Sequence, residues 1–262
     1  MSTYYKENKV EKVTPEIYFT PKQAADYFNL SLSTVKNYIY AGKLRTLKTP
    51  GGHHRISKAV ILAALGEVSL NSENMRDNLR YNLCKAILNL FKIFGSHADY
   101  FISHSKNVSR LAGITAKAID MTALDISLVE MSGLVHDIGL VGIEKHIVLK
   151  KSALIPEEYE TIKTHCVIGA EMLSSVSELA EISDIVMQHH ERSDGVGYPS
   201  GIESKKIKEH AKIISIAEAY DAMVSQSFYK APFSKERALE ELVKNSSRQF
   251  DGEIVRIFIK SI

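Results

Sequence analysis

No apolar run in this chain of 262 residues approaches the roughly 18 residues that a membrane-crossing helix needs, so no membrane span is expected. The first residues, Met1 to Glu7, lack the apolar core of a secretory signal. Cysteine is nearly absent: Cys84 and Cys166 are too few for a disulfide framework. These absences together set the expectation of a cytoplasmic protein with no membrane partner. Glycine (14) and proline (6) are sparse and 24% of residues are charged, which excludes collagen-like, low-complexity and wholly disordered chains. Net charge of one sign is also missing, the total being only +2.

That total hides an asymmetry. Residues 1–66 hold ten Lys and Arg against four Asp and Glu, or +6, and the remainder carries −4. A small basic head on a mildly acidic body implies two domains, the head being the one suited to a polyanion. Within the head, Thr20-Pro21-Lys22-Gln23 reads as a helix start, with Thr as N-cap and Gln closing a capping box. The helix continues through Ala24, Ala25 and Phe28, and Asn29-Leu30 makes a turn. Ser31 or Ser33 caps a second helix with Val35 and Ile39 inward and Gly42 as its stop. Leu44–Lys48 and His53–Ile56 flank Thr49-Pro50-Gly51-Gly52 as a small hairpin, and Ser57 caps a third helix through Val60, Ile61, Leu62 and Leu65.

Thr20-Pro21-Lys22-Gln23-Ala24-Ala25, Ser33-Thr34-Val35, Gly42-Lys43-Leu44-Arg45 and Gly51-Gly52-His53-His54-Arg55-Ile56 together resemble the winged helix-turn-helix of the MerR and excisionase families. The resemblance implies DNA as a partner, with the second helix in the major groove presenting Ser33, Thr34, Lys36, Asn37 and Tyr40. Arg45, Lys48, His53, His54 and Arg55 would then reach phosphates or the minor groove from the wing. Without the resemblance, the same residues describe a basic helical module packed on another protein surface.

Residues 67–96 read as a helical connector. Glu67–Asn74 is polar and expected as a loop; Leu79, Leu83, Ala86, Ile87, Leu90 and Phe94 then follow helical spacing. This apolar stripe packs on the next domain or meets its copy in a homodimer, and the sequence leaves both readings open.

From residue 97 to 262 the pattern is almost all helix. His104, His136-Asp137, His165, His189-His190 and Glu218 fall on successive helices. Imidazoles and carboxylates converging in a helical bundle suit iron, manganese or zinc, and a bridging carboxylate holds two ions about 3.5–4 Å apart. A lone histidine in a helix is more often a hydrogen-bonded core residue, but seven such residues in one region are a stronger signal. Cys166 beside His165 reads as a small core residue, and His97, His146 and His210 have no patterned partners.

His136-Asp137-Ile138-Gly139, Lys163-Thr164-His165 with Gly169, His189-His190-Glu191-Arg192-Ser193-Asp194-Gly195-Val196-Gly197-Tyr198-Pro199 and Glu218-Ala219-Tyr220-Asp221 carry a second resemblance. The segment is similar to the HD-GYP subgroup of HD-domain metal-dependent phosphohydrolases, the third stretch matching its HHExxDGxGYP signature in full. The fold implied overall is mainly α: a small winged helix-turn-helix domain (1–66), the connector (67–96) and an all-helical HD-GYP domain (97–262). The resemblance implies a dinuclear centre of two divalent ions, iron or manganese first, with His104, His136, Asp137, His165, His189, His190 and Glu218 as ligands. It also implies Asp137 as the bridge, Asp137 and His136 as the catalytic pair, and hydrolysis of cyclic di-GMP or a related nucleotide. Arg192, Asp194, Gly197, Tyr198, Pro199 and Lys230 would face that substrate.

The chain departs from the family pattern at four places. Leu140 stands where HDxGK has its lysine, and Ser227 stands where an arginine serves the phosphate, although Lys230 retains the second basic position. Glu218 replaces an aspartate, and Tyr100 replaces the glutamate that accompanies a third metal. A charge-assisted hydrogen bond contributes about 1.5–3 kcal/mol, so two lost cations would weaken a dianionic ligand by about a hundredfold or more. Two expectations follow: a phosphodiesterase with a depleted phosphate clamp, or a non-catalytic domain that senses a ligand for a transcription regulator.

Overall fold

In a computed structural model, residues 17–27, 31–226 and 231–262 are described, the side chains of 59 and 62–74 excepted. The turn at Asn29-Leu30, together with Phe28, Ser227 and Lys230, lies outside the described residues, as do the side chains of Leu62 and Leu65. The chain divides into two compact units, 1–75 and 76–262.

The first unit sets short helices against a three-stranded antiparallel sheet, order β1-β3-β2, of β1 (Tyr18–Phe19), β2 (Leu47–Lys48) and β3 (His54–Ser57). Tyr18 pairs with Ser57, and Leu47 with Arg55. The capping box at the start of α1 (Pro21–Tyr27) forms in full: Gln23 N–H donates to Thr20 Oγ1 at 3.2 Å, and Thr20 N–H donates to Gln23 Oε1 at 2.9 Å. Ser31 caps α2 (Leu32–Tyr40) by accepting from Thr34 N–H at 3.0 Å. Gly42 ends α2 at φ +72°, which lets Lys43 N–H reach back to the Tyr38 carbonyl at 2.9 Å. Leu47–Lys48 and His54–Ser57 form the wing, and Ser57 Oγ accepts from Val60 N–H at the start of α3 (Lys58–Leu88). Ala24, Ala25, Val35, Leu44, Ile56 and Ile61 are the small core.

Two expectations are corrected along α3. Residues 67–74 are helical and not a loop. They contain no proline or glycine, and polar residues weaken a helix without breaking it. The buried face of the connector is Cys84, Leu88, Phe91 and Phe94, while Leu79 and Leu90 remain exposed. Leu83, Ile87 and Phe94 of the expected stripe do pack on the core; beyond Leu88 the residues Asn89–His97 wind in 3-10 turns broken by a kink at Gly95 (φ +62°), and Leu88, Phe91 and Phe94 recur every third residue.

The second unit is all helical: α4 (Ala98–Ala118), α5 (Ala123–Val135), α6 (Lys145–Val148), α7 (Pro156–Lys163), α8 (His165–Ser174), α9 (Ala180–Gln188), α10 (Glu209–Val224), α11 (Lys235–Lys244) and α12 (Gly252–Ser261). Thr122, Ser234 and Asp251 cap α5, α11 and α12 with their side chains. Phe91 and Phe94 stack on Phe101 at 5.4 and 4.8 Å between ring centres, continuous with a core that includes Met131, Ile138, Leu173, Ile213 and Phe258. Gly139 admits the tightest approach: a Cβ there would fall 1.9 Å from the His165 carbonyl oxygen. The glycine of the His-Asp-Ile-Gly segment therefore lets that segment lie directly on α8 and brings Asp137 to His165. Among the described residues, no helix is long and apolar enough to cross a membrane.

Candidate metal centre and nucleic-acid interface

Three of the histidines share one supporting device. The last carbonyls of a helix have no partner within it. His136, His165 and His189 follow the ends of α5, α7 and α9, and each Nδ1 donates to the carbonyl three residues earlier. The acceptors are Gly133 at 2.9 Å, Ile162 at 2.7 Å and Val186 at 2.6 Å. A carbonyl only accepts, so each Nδ1 carries a proton, and in the neutral ring each Nε2 would offer its lone pair inward. His104, on α4, is oriented differently: its Nδ1 meets Asp221 Oδ2 on α10 at 2.7 Å, and Asp221 Oδ1 accepts from Ser225 Oγ at 3.0 Å.

Asp137 sits between the rings. Its Oδ2 lies 3.2 Å from His136 Nε2 and 3.9 Å from His104 Nε2; its Oδ1 lies 3.3 Å from His165 Nε2 and 4.0 Å from His189 Nε2. The donors form two groups, His104/His136/Asp137 and His165/Cys166/His189/His190, each with its donor atoms within 4.8 Å of one another. Glu218 Oε1 is 3.5 Å from His190 Nε2. The structure thus brings all seven sequence-expected ligands to one place.

The electrostatics suit a cation. Burial depresses His165, pushes His190 down to about 3 and takes His189 well below its ordinary value, with neighbouring imidazoles adding to the last two. Burial also opposes ionisation of Asp137, but His136, His165 and His104 outweigh it and hold the carboxyl well below its usual range. Burial acts against His136 too, yet the Asp137 charge pushes it up to about 9. Burial raises Glu218 to about 8, with the Asp137 charge adding to it against His136. His136 Nε2 is fully buried and has no hydrogen-bond partner among the described residues. Without a cation a proton on that nitrogen faces the Asp137 carboxylate; the buried nitrogen and oxygen donors gathered around it are of the kind that could hold a divalent metal.

Beside the cluster lies a cavity of about 440 Å³ whose walls include His104, Asp137, Glu218, Leu140, Lys150 and Lys151. Leu140, 8% exposed, makes an apolar wall where the resemblance expects a lysine. The sequence reading missed Lys150 and Lys151. Lys150 is ion-paired to Glu158 at 2.5 Å, whereas Lys151 is exposed with no ion pair among the described residues.

The expected substrate loop divides by role. Arg192 is held by Asp194 through two hydrogen bonds at 2.9 and 2.6 Å, so each neutralises the other. Gly197 is a packing residue, since a Cβ there would lie 2.4 Å from Arg192 N. Tyr198 packs its ring 4.7 Å from that of His190. The peptide before Pro199 is cis, and Pro199 is exposed. Glu191 ties the loop down by accepting from Ser200 and Ile202 N–H at 2.8 and 3.1 Å.

In the first unit, Ser33, Lys36, Asn37 and Tyr40 are exposed on the side of α2 away from buried Val35. Thr34 is half-buried and its hydroxyl joins the Ser31 cap at 2.7 Å. Arg45, Lys48 and His53 are exposed on the wing; His54 is half-buried with Nδ1 2.6 Å from Thr46 Oγ1, and half-buried Arg55 donates to the His54 carbonyl.

A family model described as an HD domain matches residues 90–254, and a helix-turn-helix domain model matches residues 18–67. Over 159 residues the chain is 36% identical to a cyclic di-GMP phosphodiesterase of Thermotoga maritima, covering 60% of this chain and 43% of that protein. Over 157 residues it is 31% identical to the cyclic di-GMP phosphodiesterase response regulator RpfG of Xanthomonas campestris, covering 59% of this chain and 42% of that protein. The chain therefore spans less than half the length of these two curated relatives. The solved HDG"Y"P protein Bd1817 of Bdellovibrio bacteriovorus shares the fold, with a TM-score of 0.54, 15% identity, and coverage of 81% of this chain and 84% of that one. Matched by the HD model over more than half its length, and bearing the HD pair and the GYP segment on that fold, this chain belongs to the HD domain family, in its HD-GYP branch, with a helix-turn-helix domain before it.

Proposed function

We propose that the chain is a DNA-binding regulator whose HD-GYP domain, residues 97–262, hydrolyses a phosphodiester bond of cyclic di-GMP at a dinuclear metal centre. The observation that carries this reading is the position of Asp137, whose two oxygens face two separate histidine groups as a bridging carboxylate would. His104, His136 and Asp137 would hold one divalent ion and Asp137, His165, His189 and His190 the other, with Glu218, 3.5 Å from His190 Nε2, as the seventh ligand. Iron and manganese suit this donor set. Two such ions would supply an activated water near neutral pH and would screen charge developing on the phosphoryl group.

The protein's own groups position the parts. The carbonyls of Gly133, Ile162 and Val186 fix three rings in the tautomer that leaves Nε2 free, and Asp221 does the same for His104. Lys151 offers a cation to the nucleotide phosphates in the neighbouring cavity, in place of the lysine replaced by Leu140. In residues 1–66, the exposed face of α2 reads bases while Arg45, Lys48, His53 and Arg55 meet phosphates. These assignments rest on the exposure of the α2 residues, Arg45, Lys48 and His53 and on the +6 charge of the segment, Arg55 being half-buried beside them.

Leu140 in the cavity wall and the internal pairing of Arg192 with Asp194 favour a second reading, a metal-bearing ligand sensor without turnover. Metal analysis with a cyclic di-GMP cleavage assay separates the two. Two ions per chain and cleavage, both lost in Asp137→Ala, support the hydrolase. The rate is expected to fall by about 10³-fold or more, the scale seen on removing a preorganised electrostatic stabiliser. Two ions and bound cyclic di-GMP without cleavage replace the hydrolase with the sensor, and a wild-type protein that takes up no metal overturns both.

A further inference from the structure

We propose that Lys163 is a substrate-binding cation on the His190 side of the centre, placed to take the phosphate of a cyclic dinucleotide that is not cleaved. The inference rests on the phosphodiester reading above and deepens it, because it gives a dianionic ligand a second cation away from Lys151.

Lys163 closes α7, two residues before His165, and the mechanism above gives it no part. Its Nζ stands over two aromatic rings, 5.5 Å from the centre of Tyr159 and 5.8 Å from that of Tyr198. Both lie within the roughly 6 Å at which a ring face attracts an ammonium. The Tyr159 contact is one turn back along the same helix, a pairing that any helix surface offers. The Tyr198 contact is of another kind, since it joins α7 to the loop after α9. Tyr198 is also the ring whose centre lies 4.7 Å from that of His190 and 6.4 Å from that of His165. The ammonium therefore stands one ring away from two ligand histidines.

A lysine on a surface helix ordinarily carries its head into water. The Lys163 side chain is only 26% exposed, whereas its ion partner Glu160, at 2.6 Å, is 67% exposed. Such a pair, open to solvent on one side, is weak and is readily exchanged for a better anion. Arg192, in the loop that carries Tyr198, is instead committed to Asp194 by two hydrogen bonds. Lys163 is thus the cation whose partner gives way more easily.

The ligand has a use for it. A cyclic dinucleotide carries two phosphates, and a metal pair clamps the one undergoing displacement. Lys150 and Lys151 border the cavity beside His104, and Ile162 of α7 lines the same cavity. The next residue is turned by about 100° around a helix, which takes Lys163 off that wall and onto Tyr198. Cations then stand beside both histidine groups of the centre, as a ligand with two separated charges requires.

Calorimetry on the full-length, manganese-loaded protein tests the assignment, with the cleavage-resistant phosphorothioate analogue of cyclic di-GMP as the probe. Lys163→Met keeps the stem and removes the charge, and is expected to weaken binding by about tenfold or more. Lys163→Arg is expected to return most of that loss. Glu160→Gln releases the ammonium and removes a nearby negative charge, so it should tighten binding by up to about fivefold. A residue that only braces Tyr198 would give no such gain. Bound manganese per chain and circular dichroism should match the wild type in all three variants. Unchanged affinity in Lys163→Met, with a wild type that binds, overturns the assignment and leaves the nucleotide reading standing. A loss that Lys163→Arg fails to restore, or that comes with lost manganese, overturns it in favour of a structural brace. A manganese-loaded wild type that does not bind the analogue overturns the nucleotide reading along with it.

Discussion

His165 is 2% exposed with its ring fixed by a backbone carbonyl at 2.7 Å, while Tyr40 on α2 is 80% exposed. The contrast extends across the two units. In the second, His104, His136, His165 and His189 are buried and aimed by helix-end carbonyls or by Asp221, around the half-buried Asp137. In the first, Lys36, Asn37, Tyr40 and Arg45 are exposed, and structure goes into the caps and the small core beneath them. The difference matches the two kinds of partner proposed for the units. A metal centre gains from donors that are desolvated and oriented in advance, since any motion of a ligand is felt directly. A duplex is met first by charge, and phosphate neutralisation gives most of the affinity even from mobile lysines and arginines. One site is held by its supporting hydrogen bonds and the other by its net charge.

The largest break in that comparison comes from removing a support and leaving the ligand in place. Asp221→Asn keeps the shape beside His104 but removes the charge that accepts from its Nδ1. Metal affinity at the His104/His136 group is expected to fall by about 10–100-fold, read by competition with a chromophoric chelator. DNA binding should be unchanged. An unaltered metal affinity would mean that His104 needs no oriented partner.

Much of this arrangement is legible in the sequence because the residues that carry the chemistry also carry the motif. The seven ligand-type residues come together, the capping box at Thr20 and the Ser57 cap form, and the wing is present with shorter strands than expected. What the sequence left dark lies across space. Asp221 was in view as part of the Glu218 segment, but nothing local says that it faces His104, 117 residues away. Arg192 looked like a free cation because its partner Asp194 is two residues on, a spacing at which pairing depends on the fold of the loop. Cys166 reads as core because it is core; only the convergence of three helix ends makes it a neighbour of three imidazole donors. Lys150 and Lys151 carried no motif and became visible when they lined the cavity. The connector's stripe holds at Leu83, Ile87 and Phe94, but Phe91 was missed because an α-helical period was applied through a segment that winds in 3-10 turns.

A smaller effect sharpens the comparison within the second unit, between the intact ligand cluster and the altered cavity wall. Leu140→Lys places a four-carbon stem along an apolar wall and an ammonium at the cavity. If the cavity receives cyclic di-GMP phosphates, one added charge-assisted hydrogen bond of about 1.5–3 kcal/mol tightens binding by about tenfold or more, measured by calorimetry. Metal content should not change. Binding that stays flat would separate the cavity from the phosphates and shift attention to the Tyr198 side of the cluster.

The smallest effect belongs to the exposed site, and its smallness is what the comparison predicts. Arg55 lies in the strand of the wing, half-buried and anchored only to the neighbouring His54 carbonyl, so replacing it removes one cation and little structure. Arg55→Ala should weaken DNA binding nearly uniformly across sequences and reduce the slope of log affinity against log salt by about one. The wild-type protein should itself lose affinity steeply as salt rises, because each neutralised phosphate releases condensed counterions. Metal binding in the second unit should be insensitive to the same salt, since its charges are buried and within contact distance of one another. Salt-independent DNA binding would remove the wing and α2 from the interface. A slope that falls by several on this single change would mean that Arg55 organises the other basic groups, and that the head shares the dependence on supporting contacts found in the metal centre.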